Sequence, residues 1–199
     1  MLTLKEVLAA ETQRWHESPE FQTRWAMFEH AAKHAIDGLW LEFGVWKGKS
    51  LDFVARLVPG NVYGFDSFEG LPREWTDRPK GEFSTRGVTP ADLPDNAKVV
   101  AGWFDKTLPG WLEKNPGPVA FVNMDADIYE STQYVLGTLG DAGRLVPGTM
   151  LLFDEYYHPH WPEYAENEMR AWLEFVRLRG VSWEYFGHGD LCRAGVRVL

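Results

Sequence analysis

Two acidic pairs fall where chemistry is done in many sheet proteins. Asp125-Ala126-Asp127 closes the apolar run PVAFVNMD, and Asp154-Glu155 closes TMLLFD. A third acid, Glu42, lies inside LWLEFGV. Each run reads as a buried strand. In an open parallel sheet, ligands bind outside the carboxyl ends of the strands, near the reversal of strand order. The strands carrying Glu42, Asp125 and Asp154 are the central ones of such a sheet, so their ends bring these acids to one crevice. Converging carboxylates repel one another, and a cation among them relieves the repulsion. All-oxygen ligands favour Mg²⁺, Mn²⁺ or Ca²⁺ over Zn²⁺. The competing role for such acids is helix capping. It suits Asp127 best, because Ile128-Tyr129-Glu130-Ser131 opens a helix.

The segment from Glu42 through Phe43, Gly44, Val45, Trp46, Lys47, Gly48 and Lys49 to Ser50 sits where the first long strand turns into a helix. Its glycines allow a tight turn and close approach of a ligand to the backbone. The dinucleotide fingerprint G-x-G-x-x-G is absent, and the spacing is not that of a Walker phosphate loop. An acid two residues before the first glycine suits a cofactor with an ammonium group, such as S-adenosylmethionine (SAM). An ordinary strand–helix turn is the plain alternative. Asp66 ends the next strand, about 20 residues after Gly44, where an acid commonly accepts hydrogen bonds from a ribose diol. Trp103 and Phe104 follow the third strand, where they would stack an adenine ring or pack the core. His158 and His160 lie just past the acids, as a base, a substrate contact or loop residues without a role. His16, His30, His34 and His188 read as structural or surface residues.

The elements that must position these residues follow from periodicity. Leu4, Val7, Leu8 and Trp15 mark a helix over residues 2–15. Ser18-Pro19 reads as a cap and first-turn proline of a second helix, with Phe21, Trp25, Phe28 and Ala32 on one face, ending near Gly38. Helices then alternate with the strands LWLEFGV, NVYGFD, KVVAGWF, PVAFVNMD and TMLLFD. They run through Leu51 to Val58, from about Pro109 to Lys114, around Tyr134 to Leu139, and from about Tyr164 to Arg179. VSWEYF and CRAGVRVL close the chain as an antiparallel pair at one edge. This predicts an α/β fold with a mostly parallel sheet covered on both faces. Residues 1–38 are expected to form a helical cover and residues 39–199 the main domain. The polar stretch 67–97 is long for a passive connector and is expected to border the site.

Bulk properties narrow the function. The 199 residues suffice for one sizeable α/β domain. A net charge of −9 argues against nucleic acid as a substrate. The single cysteine, Cys192, makes no internal disulfide, no apolar run reaches membrane-spanning length, and the N-terminus lacks the features of a signal peptide. These features lead to the expectation of a cytoplasmic protein that does not engage membranes, with a homo-oligomer allowed.

Taken together, LEFGVWKGKS, VYGFDSFEGLP, GWFDKTLP, NMDADIYEST and LLFDEYY resemble the macrocin O-methyltransferase family, in the right order from about Leu41 to Tyr157. DSFEGLP and D-x-D-x-YEST are the specific motifs. The resemblance implies a Rossmann-like, seven-stranded sheet with the last strand antiparallel. It also implies SAM-dependent methyl transfer to a hydroxyl of a sugar or natural product, often with Mg²⁺. The candidate cofactor residues are Glu42, Gly44, Trp46, Gly48, Ser50, Asp66, Ser67, Gly102, Trp103, Phe104 and Asp125, of which the resemblance implies Glu42 and Gly44 for the SAM turn and Asp66 for the ribose. The implied metal residues are Asp125, Asp154 and Glu155, although the family more often has a second aspartate where Glu155 stands. Asp127 and His158 are the candidate bases. The chain is short for the family, which disfavours macrolide-sized acceptors. Two rivals remain at this stage: a glycosyltransferase that uses Asp125-Ala126-Asp127 as a metal-binding D-x-D, and a SAM-binding protein without catalysis.

Overall fold

In the computed structural model, which describes residues 4–190 and 192–199, the apolar runs become eight strands. They are β1 (Glu20–Phe21), β2 (Leu39–Phe43), β3 (Val62–Asp66), β4 (Ala97–Ala101), β5 (Val119–Met124), β6 (Met150–Phe153), β7 (Trp183–Gly189) and β8 (Arg193–Val198). The helices are α1 (Leu4–Glu17), α2 (Arg24–His34), α3 (Lys49–Leu57), α4 (Phe104–Lys114), α5 (Tyr129–Asp141) and α6 (Glu168–Arg179), the last preceded by a 3₁₀ turn at Pro162–Glu166. Residues 2 and 3 of the predicted opening helix lie outside the described residues.

One sheet contains all eight strands, in the order β1-β7-β8-β6-β5-β2-β3-β4. Every pairing is parallel except those of β8, which runs antiparallel to both β6 and β7. The predicted Rossmann-like α/β class and antiparallel last strand are therefore present. The expected count of seven strands is corrected to eight. Glu20–Phe21 forms the extra strand because the Pro19 carbonyl accepts from His188 N–H at 2.9 Å and aligns the segment beside β7. The same feature moves the start of the second helix. Its cap is Thr23, whose Oγ1 accepts from Ala26 N–H at 3.2 Å, and not Ser18. α4, in contrast, starts earlier than predicted, at Phe104, and carries Pro109 within it.

Side-chain alternation assigns each residue of a strand to one face of the sheet. Leu41 and Phe43 of β2 join Phe65, Val122, Met124, Leu151 and Phe153 in the core shared with Leu8 and Trp15 of α1 and with α4, α5 and α6. Trp40 faces the other way and packs with Phe121, Leu152, Met27, Phe28, Leu51 and Val54 under α2 and α3. Glu42 shares the Trp40 face and is thereby buried beneath α2 and α3. The strand order reverses between β2 and β5, which are direct neighbours.

Of the segment 67–97, Ala97 already belongs to β4, and the rest, 67–96, forms no strand or helix of its own beyond a tight Trp75–Arg78 bridge. It is nonetheless packed: Leu71 and Trp75 are buried against Ile128, with Phe83 and Tyr164 beside them. Gly70 (φ +80°) permits this, since a Cβ there would meet the Glu82 carbonyl oxygen at 2.3 Å. Bound cofactor and acceptor are expected to protect the segment from limited proteolysis. Cleavage at equal rates with and without ligands would show that it does not cover the site.

Candidate active site

Just beyond the strand ends, the parallel ladders continue for one more residue. Gly44 N–H donates to Phe65 O, Asp125 N–H to Phe43 O, and Asp154 N–H to Met124 O, at 2.8–2.9 Å. This sets Gly44, Asp125 and Asp154 side by side at the reversal point. The approach is so close that a Cβ on Gly44 (φ +94°) would lie 1.8 Å from the Asp125 carbonyl oxygen. Gly44→Ala is therefore expected to cost at least about 3 kcal/mol, measured by urea denaturation. A loss below about 1 kcal/mol would mean that the two loops are not locked together.

A cavity of about 380 Å³ opens above this row. Of the residues expected from sequence, Gly44, Trp46, Ser50, Asp66, Ser67, Trp103, Phe104, Asp125, Asp127, Asp154 and Glu155 line it. Glu42, Gly48, Gly102 and His158 do not. Glu42 lies one layer below, where its Oε1 accepts from Ser50 Oγ at 2.5 Å and its Oε2 is buried without a partner. Burial raises its carboxyl to about 8. Gly48 precedes α3 in the left-handed region and packs on Pro90 and Leu93. Gly102 shapes the turn after β4, where its N–H donates to Asp66 O. His158 stacks on Trp161 at 4.1 Å and its Nδ1 accepts from His160 N–H, so it sits outside the cavity wall, its pKa lowered by burial.

Asp66 organises the turn through both carboxylate oxygens. Oδ2 accepts from Val45 N–H and Trp46 N–H at 2.8 Å, and Oδ1 accepts from Phe68 N–H at 2.7 Å. A carboxylate has about four lone-pair sites, so one remains on the cavity side of the balance.

The acids divide differently from the sequence expectation. Asp125, Asp127 and Glu155 present oxygens within 4.8 Å of one another. Asp154 instead gives both oxygens to Arg193, to Nε at 2.5 Å and to Nη2 at 3.0 Å, with Arg24 at 3.6 Å. Asp127 does not cap α5: the cap residue is Ile128, with no side-chain cap bond. Its positive φ of 59° turns it out of the helical path. Burial, then the Asp154 and Asp66 charges, raise its carboxyl to about 7. Asp125 and Glu155 are pushed well above the usual carboxylate range, first by burial and then by the charge of Asp154. Glu155 Oε2 is buried with no hydrogen-bond partner.

Sequence reasoning missed the residues that hold this arrangement. Glu168, fully buried at the start of α6, accepts from Ala126 N–H at 3.3 Å and Glu155 N–H at 3.0 Å, tying the two acidic loops together. Arg193, Arg24, Arg78 and Tyr164 were also overlooked. Each comes from a segment distant in sequence, with no local motif to mark it.

Comparison with known proteins accords with this geometry. Residues 41–156, more than half of the chain, match the "Methyltransferase domain" family. The chain is 30% identical over 149 residues to the 8-demethyl-8-(2,3-dimethoxy-alpha-L-rhamnosyl)-tetracenomycin-C 4'-O-methyltransferase of Streptomyces olivaceus. That alignment covers 61% of this chain, which spans about half (54%) of its curated relative. Among solved structures, the calicheamicin methyltransferase CalS11 superposes with a TM-score of 0.69 at 23% identity, covering 87% of this chain and 78% of the other. The O-methyltransferase NovP gives 0.64 at 20% identity with the same coverage. With the glycine turn, the D-x-D loop and the acidic strand ends all inside the matched span, the chain belongs to the methyltransferase domain family.

Proposed function

We propose that this protein is a SAM-dependent O-methyltransferase acting on a hydroxyl of a sugar or sugar-bearing natural product. The observation that carries the proposal is the placement of Asp125, Asp127 and Glu155 on one cavity with the Gly44 turn and Asp66. The family match spans both the turn and Asp125-Ala126-Asp127, which favours this reading over a nucleotide-sugar D-x-D. The 30% identical relative, named as acting on a rhamnosylated tetracenomycin, supports the acceptor class.

The residues present fit both groups such an enzyme needs. For SAM, Asp66 offers its remaining lone pair to the ribose, and Trp103 and Phe104 border the adenine side. Glu42 and Ser50 lie below the turn, where the ammonium belongs. For a divalent cation, Asp125 and Glu155 are the ligands of choice, since Mg²⁺ is usually held by one or two carboxylates and several waters. The buried, unpartnered Glu155 Oε2 is the atom that most needs such a charge. When bound, the cation supplies Lewis acidity that lowers the pKa of an acceptor hydroxyl.

The chain's own residues do the rest. The turn and the 67–97 segment orient the reacting groups and exclude water. Asp127 takes the hydroxyl proton on its carboxylate, a role suited to a group whose proton affinity lies near neutrality. Arg193 and Arg24 hold Asp154 as a fixed anion behind the ligands. Among the described residues no helix is long and apolar enough to cross a membrane, and a cytoplasmic setting is part of this proposal.

S-adenosylhomocysteine at ten times its dissociation constant is expected to raise the Tm by about 3 °C. Asp66→Ala should remove most of that shift. A larger shift with UDP-glucose and none with SAM or its product would overturn the reading. Cofactor binding without turnover on any glycoside would leave a SAM-binding protein that does not catalyse.

A further inference from the structure

The ladder that aligns the two acidic loops ends with Asp125 N–H on Phe43 O and Asp154 N–H on Met124 O. The next amide of each loop turns to one and the same side chain. Glu168, fully buried as the first residue of α6, accepts from Ala126 N–H on Oε1 at 3.3 Å and from Glu155 N–H on Oε2 at 3.0 Å. The two oxygens of a carboxylate are rigidly spaced in one plane, so this single group sets how far apart the loops stand. The loops need such a tie. Asp125, Asp127 and Glu155 bring oxygens within 4.8 Å of one another, and like charges at that range push apart. The charge of Glu168 adds to that repulsion on Asp125 and Glu155, so its hold on the loops is geometric. Two N–H donors call for two acceptors, which glutamate supplies and glutamine does not. The preceding residue secures the far end of the first loop. Asn167 Oδ1 accepts from Tyr129 N–H at 3.3 Å, and its Nδ2 donates to Glu163 O at 3.0 Å.

Resting on the function proposed above, we infer that Glu168 is a positioning residue for the divalent cation. It does not line the cavity. It fixes the spacing between Asp125 and Glu155 through the backbone of their loops, and that spacing sets how tightly the cation is held. Groups that orient metal ligands from behind govern affinity in this way. The Gly44 turn and Asp66 belong to β2 and β3, away from this tie, so cofactor binding does not depend on it.

The test titrates Mn²⁺ into the full chain saturated with S-adenosylhomocysteine and follows free Mn²⁺ by electron paramagnetic resonance. Glu168→Gln keeps the shape and loses one acceptor. Glu168→Asp keeps the charge and both acceptors on an arm one methylene shorter, and carries the test alone where Glu168→Gln does not fold. Each is expected to weaken Mn²⁺ binding by about 10- to 100-fold, with the Tm shift from S-adenosylhomocysteine within about a degree of wild type. Asn167→Ala frees only the Tyr129 end and should leave Mn²⁺ affinity within about threefold. Wild-type Mn²⁺ affinity in Glu168→Asp would reduce any loss in Glu168→Gln to one of charge and overturn the inference. A parallel loss of the S-adenosylhomocysteine shift, or an equal loss of Mn²⁺ affinity in Asn167→Ala, would also overturn it, since general loosening of the α6 start would then explain the effect. A wild-type chain that binds S-adenosylhomocysteine and no Mn²⁺ overturns the inference together with the metal part of the proposed function, and leaves the cofactor reading standing.

Discussion

Asp127→Asn is expected to lower kcat by ~10²–10⁴-fold while the Tm shift from S-adenosylhomocysteine stays within about a degree of wild type. Asparagine keeps the shape and loses the ability to accept a proton. The effect should be large because Asp127 does no structural work that asparagine cannot do: it caps no helix, and its left-handed φ of 59° suits either residue. His158→Ala should leave turnover within about threefold, since a ring stacked on Trp161 outside the wall meets no acceptor. A variant Asp127→Asn that keeps more than a tenth of wild-type turnover would remove this residue from the base role.

The second large effect is a stability profile set by the buried acids. Asp127 is raised from 3.8 to about 7 and Glu42 from 4.5 to about 8, in both cases chiefly by burial. Well below their unfolded values of 3.8 and 4.5 these groups are protonated in the native and unfolded chains alike, and their contribution to stability is at its fullest. Between the unfolded and native values the native state keeps a proton that the unfolded chain has released. Stability therefore falls as pH rises, by about 1.4 kcal/mol per pH unit for each group, and levels off above pH 8. Asp125, Glu155 and Glu168 shift in the same direction and steepen the fall. Mg²⁺ should reverse it, because a cation competes with protons for the same oxygens. Thermal melts are expected to show a Mg²⁺-induced rise on the order of 5 °C greater at pH 8 than at pH 5. A Mg²⁺ effect equal at both pH values, or absent, would mean that Asp125 and Glu155 hold no metal. EDTA would then leave turnover intact.

How much of this was legible beforehand depended on whether the signal was local. The strands carrying Glu42, Asp66, Asp125 and Asp154 were readable because both faces are buried and the sequence there is nearly continuous apolar residue. The Gly44 turn and the acids at the strand ends were readable for the same reason. Glu20–Phe21 was not, since two residues carry no periodicity and a proline beside a serine imitates a helix start. The exchange of roles between Asp154 and Asp127 was also hidden. It depends on Arg193, 39 residues from Asp154, and on a backbone angle at Asp127 that no side-chain pattern encodes. Glu168 looked like an ordinary acid in a first helical turn, and its burial against two loop amides appears only after α6 docks.

The two-residue strand β1 has a consequence for how molecules of this protein behave toward one another. Without it, β7 would be the outermost strand, with free amides along its rim. β1 covers His188 and Gly189, and Phe21 fills the space over Gly187, where a Cβ would clash with its ring. Pro19, just ahead of it, has no N–H to offer a further strand. A very short rim strand announced by proline is a poor template for strand addition by a neighbour. Replacing Glu20 and Phe21 by glycine would loosen that guard while keeping α1 and its core residues Leu8 and Trp15, so the variant should lose solubility through edge-to-edge pairing at β7 even where its active-site groups remain intact.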